Sequence, residues 1–177
     1  INAIAIAAGP GSFTGLRIGI AAVKGLAWAA DKPCLGVSTL EAMAQNAAHI
    51  DGLIVGAMDA RRSQVYNAVF EAKGGELTRL TPDRAISLEE LCAQFQGKQQ
   101  PITVLGDGGL LCYRYLEEHG VKCLLAPSML LYQSAVGVGL AAERAYARGE
   151  AVSAQELLPV YLRPAQAERL RSSKLNQ

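Results

Sequence analysis

Reactive side chains are scarce in this chain. Its 177 residues include two histidines, His49 and His119, and four cysteines, Cys34, Cys92, Cys112 and Cys123, with no C-x-x-C pair. Each histidine falls at an expected helix end, where the helix dipole favours a solvated imidazole. Two isolated histidines and no cysteine pair argue against a zinc or iron site. Scattered cysteines fit reduced, buried thiols of a cytosolic protein better than a disulfide frame. Charge is also sparse. Charged residues make up 19% of the chain and hydrophobic ones 50%, with a net charge of +1. A low charge content with a large apolar fraction favours association, and the near-zero net charge argues against a dedicated nucleic-acid surface. No apolar run reaches the ~18 residues of a membrane span, because Arg17 and Lys24 interrupt the best candidate.

What is present is concentrated in Gly9 to Ala30, read as GPGSFTGLRIGIAAVKGLAWAA. A short strand carrying Ile4 and Ile6 leads into the Gly9-Pro10-Gly11 turn, and Ser12 or Thr14 is placed to cap a helix. The helix is apolar nearly all round, with only Arg17 and Lys24 as a polar stripe. Such a helix is covered on both sides. Periodicity alone leaves two readings, a fully internal helix or one that also meets a partner. On the second, Leu16, Ile20, Val23 and Ala27 form the partner stripe beside Gly19, rimmed by Arg17 and Lys24. Ile18, Ala22 and Leu26 then face the sheet.

The rest alternates strands and helices. Ser38 to Glu41 and Ser87 to Glu90 are capping-box patterns. Leu53 to Asp59 and Gln64 to Glu71 read as strands joined by Ala60-Arg61-Arg62-Ser63, and Leu77 to Thr81 as a third. Ile102 to Leu105 is a buried strand before Gly106-Asp107-Gly108-Gly109, followed by a helix ending at Gly120. Gln133 to Arg148 is the last long helix, and the chain frays from Ala165. Asp51-Gly52 is the expected boundary between residues 1–50 and residues 51–177. An N-terminal piece is expected to be missing, since there is no initiator Met and Ile1 already lies at a strand.

The glycine turn invites three enzyme readings, and each fails on spacing. G-x-G-x-x-G breaks at Thr14, no Gly-Lys-Ser/Thr triplet exists, and Ser12 directly follows Gly11 where G-x-S-x-G needs a spacer. A helix N-terminus with free N–H groups remains, a generic anion site. Gly11, Ser12, Asp59, Gly106, Asp107 and Gly108 are the residues placed for a phosphate or nucleotide contact. For Asp59 and Asp107, which end strands, the competing explanation is turn chemistry. No residue stands out as catalytic or metal-ligating.

Gly9-Pro10-Gly11-Ser12-Phe13-Thr14-Gly15-Leu16-Arg17-Ile18-Gly19 resembles the signature of the TsaB (YeaZ) family, bacterial proteins required for threonylcarbamoyl-adenosine modification of tRNA. The resemblance continues through Lys24 to Ala27, Gly36 to Leu40, Asp59 to Arg62 with Val65-Tyr66, Gly106 to Gly108 and Pro159 to Arg163. It implies an α/β actin-like ATPase fold of two ribonuclease H-like lobes, the first incomplete here because the family's opening strand, hairpin and helix are absent. It implies a cytoplasmic, non-catalytic subunit that activates TsaD and works with TsaE. The complex adds a threonylcarbamoyl group beside the anticodon of tRNAs reading codons that start with A. The same helical surface would serve TsaD binding and a homodimer formed when TsaD is absent. This subunit alone would bind no cofactor, with ATP and a metal in its partners and tRNA reached through the complex. A nucleotide-dependent phosphotransferase or peptidase of the same superfamily, acting alone, is the alternative.

Overall fold

The computed structural model describes residues 1–163. The fraying expected from Ala165 lies outside them. The first strand, β1 (Ile4–Gly9), feeds helix α1 (Phe13–Ala30) through the glycine turn. The Ser12 hydroxyl accepts from the Gly15 N–H at 3.3 Å, satisfying one of the first-turn donors. Asp31 ends the helix in the left-handed region, φ 48°. Strand β2 (Cys34–Ser38) pairs parallel to β1, and these two form a sheet of their own. Helix α2 (Thr39–Gln45) follows, shorter than the sequence pattern suggests, with turns over 46–50.

A six-stranded sheet comes next, built from β3 (Gly52–Asp59), β4 (Gln64–Lys73), β5 (Glu76–Arg79), β6 (Arg84–Ser87), β7 (Ile102–Leu105) and the short edge β8 (Leu124–Leu125). The order is β5-β4-β3-β7-β8, with β6 also paired to β4. Strands β3 and β4 form an antiparallel hairpin, while β3, β7 and β8 run parallel. Helix α3 (Leu88–Ala93) precedes β7, α4 (Gly109–Glu118) follows it, and α5 (Ser128–Leu131) and α6 (Ala135–Ala147) complete the described elements.

The two capping patterns behave differently. Ser87 and Glu90 make the full reciprocal box. Ser38 accepts from the Glu41 N–H at 3.1 Å, but the Glu41 carboxylate turns away to Arg79 at 2.8 Å. Arg79 also pairs with Asp83 at 2.6 Å and lies 4.7 Å over the Phe70 ring, so this half-box becomes a clamp between α2 and β5. A charged hydrogen bond to a guanidinium outcompetes a return bond to one backbone N–H.

Period-two alternation divides the core. On β3, Leu53, Val55 and Ala57 face α3 and α4, while Ile54 and Met58 face α2. On β1, Ile4, Ile6 and Ala8 face α1, while Ala5, with Ala3 just before the strand, faces α6. Helix α2 is thus sandwiched between the two sheets. Helix α6 returns to the first sheet, packing Ala141, Ala142 and Ala145 against Leu35, Val37 and Ala42. A division at residue 50 therefore does not follow the packing: the helix at 135–147 belongs with β1 and β2. Small residues on α6 allow this close approach. A Cβ at Gly137 would collide with the Ala42 carbonyl oxygen.

Candidate functional site

Helix α1 is rotated relative to the sequence expectation. Leu16, Ile20 and Ala27 are buried, Ile20 and Ala27 in a cluster with Ile4, Ile6, Ala8 and Leu157, and Leu16 against Gly11. Val23 is half-buried in the same cluster. A Cβ on Gly19 would lie 2.9 Å from Ile6 Cδ1, so Gly19 also faces the sheet. The expected partner stripe is therefore the chain's own core contact. The outward side carries Ile18, Leu26 and Trp28, which are 66%, 61% and 71% exposed. Ala21, Ala22, Gly25 and Ala29 fill the exposed surface around them. Neither of these two faces carries a polar stripe, so periodicity alone does not orient them.

Arg17 and Lys24, expected as the rim of the partner stripe, bond within the chain. They tie α1 to the segment 152–163, which crosses back along the helix. Arg17 Nε donates to the Tyr161 hydroxyl at 3.0 Å, and its guanidinium stacks 4.0 Å from the Phe13 ring centroid. Phe13 and Tyr161 are themselves stacked at 4.8 Å. Lys24 Nζ donates to the Gln155 carbonyl at 3.1 Å. The same segment bridges Val152 to Cys34, donates from Val160 N–H to the Ala8 carbonyl at 2.8 Å, and reaches the second sheet through Arg163, which donates to the Ala60 carbonyl at 2.7 Å. A Cβ on Gly9, at φ 140°, would strike the Val160 carbonyl. This strap explains the glycine at position 9 and the Pro159 to Arg163 block together. Neither was assigned to the other from sequence, because the bonds span more than a hundred residues.

The candidate phosphate residues also have roles within the chain. Gly106, at φ 104°, and Gly108 sit where a Cβ would run into the β3 backbone, at Ala57 and Asp59 respectively. Their glycines serve close packing of the β7–α4 turn on β3. Asp59 Oδ1 accepts from the Arg61 N–H at 2.7 Å, an Asx turn. The Asp107 carboxyl is pushed up by burial, opposed by bonds from backbone N–H groups including those of Gly108 and Asp59, and raised further by the Asp59 charge. Gly11 lies over the Leu16 side chain and Ser12 is engaged as the α1 cap. The pair of carboxylates is therefore explained by turn geometry. Asp59→Asn keeps an oxygen for the Arg61 N–H and should cost less than about 1 kcal/mol. Removing the Asp59 charge should also lower the Asp107 pKa. Thermal melting and carboxyl titration by NMR check both; a melting loss of many degrees would mean the carboxylate itself is required.

Among the described residues no group of three or more His, Cys, Asp or Glu is arranged to hold a metal ion. His49 and His119 are exposed, and His119 stacks on Tyr115 with ring centroids 4.1 Å apart. All four cysteines are buried and free. Burial pushes the Cys112 thiol up to about 12 and the Cys123 thiol to about 11, which keeps both protonated and unreactive at neutral pH. No described helix is long and apolar enough to cross a membrane. One buried polar group was missed from sequence. Asn67 is fully buried, donates to the Gly56 carbonyl at 2.9 Å and accepts from Arg84 at 3.1 and 3.2 Å. Its period-two place beside Val65 and Val69 was the available signal.

Comparisons with known proteins agree with this geometry. The family model described as "TsaD: tRNA N6-adenosine threonylcarbamoyltransferase" matches residues 1–169. The tRNA threonylcarbamoyladenosine biosynthesis protein TsaB of Bacillus subtilis is 36% identical over 95% of this chain and 72% of its own length. The TsaB of Escherichia coli is 34% identical over 92% of this chain and 71% of its own. Among solved structures, a Pseudomonas aeruginosa protein described as similar to peptidase YEAZ superposes with a TM-score of 0.76 at 33% identity, covering 92% of this chain and 74% of that one. YeaZ from the same organism superposes with a TM-score of 0.73, also at 33% identity. The fold is that of the actin-like, ribonuclease H-like ATPases. On sequence and fold together, the chain belongs to the TsaB (YeaZ) family.

Proposed function

We propose that this chain is a non-catalytic, activating subunit of the complex that adds a threonylcarbamoyl group to the adenosine beside the anticodon in tRNAs reading codons that start with A. Its partners are a TsaD-type subunit and the ATPase TsaE, with tRNA engaged through the complex. ATP and the metal belong to those partners, and this subunit alone binds no cofactor. The setting is the cytoplasm.

The observation that carries the proposal is the outward face of α1. Ile18, Leu26 and Trp28 are more than half exposed on one helix, in a chain whose relatives are named for tRNA threonylcarbamoyladenosine biosynthesis. A large apolar side chain set among small ones, Ala22 and Gly25, suits close helix-to-helix docking. The same face would pair two copies of the chain when TsaD is absent. The standalone nucleotide enzyme draws no support from the glycine turns, since Gly9, Gly106 and Gly108 are filled by the protein's own backbone.

Light scattering of the chain alone and mixed with a TsaD-type subunit tests this reading. The expected result is a dimer mass alone and a heteromeric mass after mixing. Monomers that ignore the partner would refute it.

A further inference from the structure

The link between β3 and β4 holds three consecutive non-glycine residues in the left-handed region: Arg61 at φ 65°, Arg62 at φ 56° and Ser63 at φ 55°. Closing a hairpin does not demand this of arginine; glycine or asparagine adopts the conformation at lower cost. The loop is nonetheless well tied at its base. Ala60 N–H donates to the Gln64 carbonyl at 3.0 Å, Leu88 N–H to the Ser63 carbonyl at 3.3 Å, and Arg163 to the Ala60 carbonyl. Unfavourable backbone held in place by its surroundings marks a functional position when the side chains have work to do.

Those side chains are uncommitted. Arg61 and Arg62 are exposed, and neither takes part in the ion pairs formed among the described residues. By contrast Arg17, Arg79, Arg84, Arg148 and Arg163 are each bonded within the protein. The two nearby carboxylates are engaged at the base of the loop, although both residues are exposed: Asp59 Oδ1 accepts the Arg61 N–H, and Asp107 accepts backbone N–H groups. Arg163, 5.7 Å over the Tyr66 ring, adds a third cation at the base. No large apolar side chain is exposed between Asp59 and Arg79. A protein-docking site would need an apolar centre, whereas a phosphodiester backbone needs only charged forks and a hydroxyl.

We infer that Arg61 and Arg62, with Ser63, form a tip that grips the phosphate backbone of the RNA on which the complex acts. This rests on the proposed function for the identity of the RNA. The site supplies position, not sequence readout.

The test is a titration of unmodified tRNA, followed by fluorescence anisotropy over a series of salt concentrations. It is run on the complex with a TsaD-type subunit and on the chain alone. The main variant is Arg61→Gly with Arg62→Gly, which relieves the backbone, and Arg61→Ala with Arg62→Ala is its companion. Arg114→Ala with Lys122→Ala removes the same charge from exposed positions elsewhere. The glycine pair should raise the melting temperature yet weaken tRNA binding about tenfold, and reduce the slope of log K against log salt by about 1.5. The control pair should leave the slope unchanged. An unaltered slope in the loop variants, an equal effect of the control, or loss of partner binding in place of tRNA binding would each overturn the inference. Failure of the unaltered chain to assemble would instead overturn the subunit reading, and the titrations on the chain alone would still judge the loop.

Discussion

A chain carrying Ile18→Glu and Leu26→Glu should melt like the unaltered protein and bind its partner at least 100-fold more weakly. Both side chains are mostly exposed, so each substitution should shift stability by about 0.5 kcal/mol or less. In a docked complex the same two carboxylates would lie in a desolvated contact without partners. Losing two central apolar anchors and gaining two unpaired charges accounts for a hundredfold, which is about 2.7 kcal/mol. Ile20→Glu is the necessary contrast. Ile20 is 5% exposed, packed among Ile6, Ala8 and Leu157. A charge there has no bonding partner, and the variant should lose several kcal/mol and unfold under conditions in which the Ile18 variant is intact. Thermal melting with sedimentation velocity separates the cases. If Ile18→Glu with Leu26→Glu still binds normally, the outward face of α1 is not the docking surface.

A large stability loss should also come from Gly137→Ala. The new methyl group would occupy the place of the Ala42 carbonyl oxygen, with the Ala42 carbonyl carbon 3.0 Å away and Asn46 Oδ1 at 3.1 Å. Neither α2 backbone atom can swing aside as a side-chain tip could. Helix α6 must therefore lift from α2, opening the contacts of Ala141, Ala142 and Ala145 with Leu35 and Val37. Overpacking of this kind costs about 3 kcal/mol or more, and for a chain of this size that is roughly a 6–12 °C loss in melting temperature. Gly139 lies on the same helix with nothing within 4 Å of its would-be Cβ. Gly139→Ala should instead stabilise the chain by about 0.5–1 kcal/mol through helix propensity. If both substitutions have the same sign, steric contact does not decide the outcome.

The glycine and capping signals made much of the fold legible. Gly9 to Gly11 marked the β1–α1 junction, Gly149 follows the end of α6, and Ser87 to Glu90 formed the box it spelled. Alternation marked β4, and short apolar runs marked β3 and β7. Three kinds of feature stayed hidden. Strand β6 and helix α5 have four residues each, too few for a period to show. The strap depends on pairs such as Arg17 with Tyr161, 144 residues apart, which no local pattern encodes. The rotation of α1 is not legible locally, because a helix apolar nearly all round offers no wide polar face, and small residues such as Ala22 and Gly25 sit equally well in a core or at a docking surface. Glu41 shows the limit from another side: its spacing from Ser38 is that of a capping box, but Arg79, brought in on β5, takes the carboxylate.

The central claim is that this chain enables a reaction it does not perform. The direct measurement is transfer of the threonylcarbamoyl group from threonylcarbamoyl-adenylate to unmodified tRNA, with a TsaD-type subunit and TsaE held constant and this chain added or withheld. The account predicts no product from the chain alone, little from the partners alone, and a large rise when all are combined. Product from this chain alone, or equal product with and without it, would contradict the account.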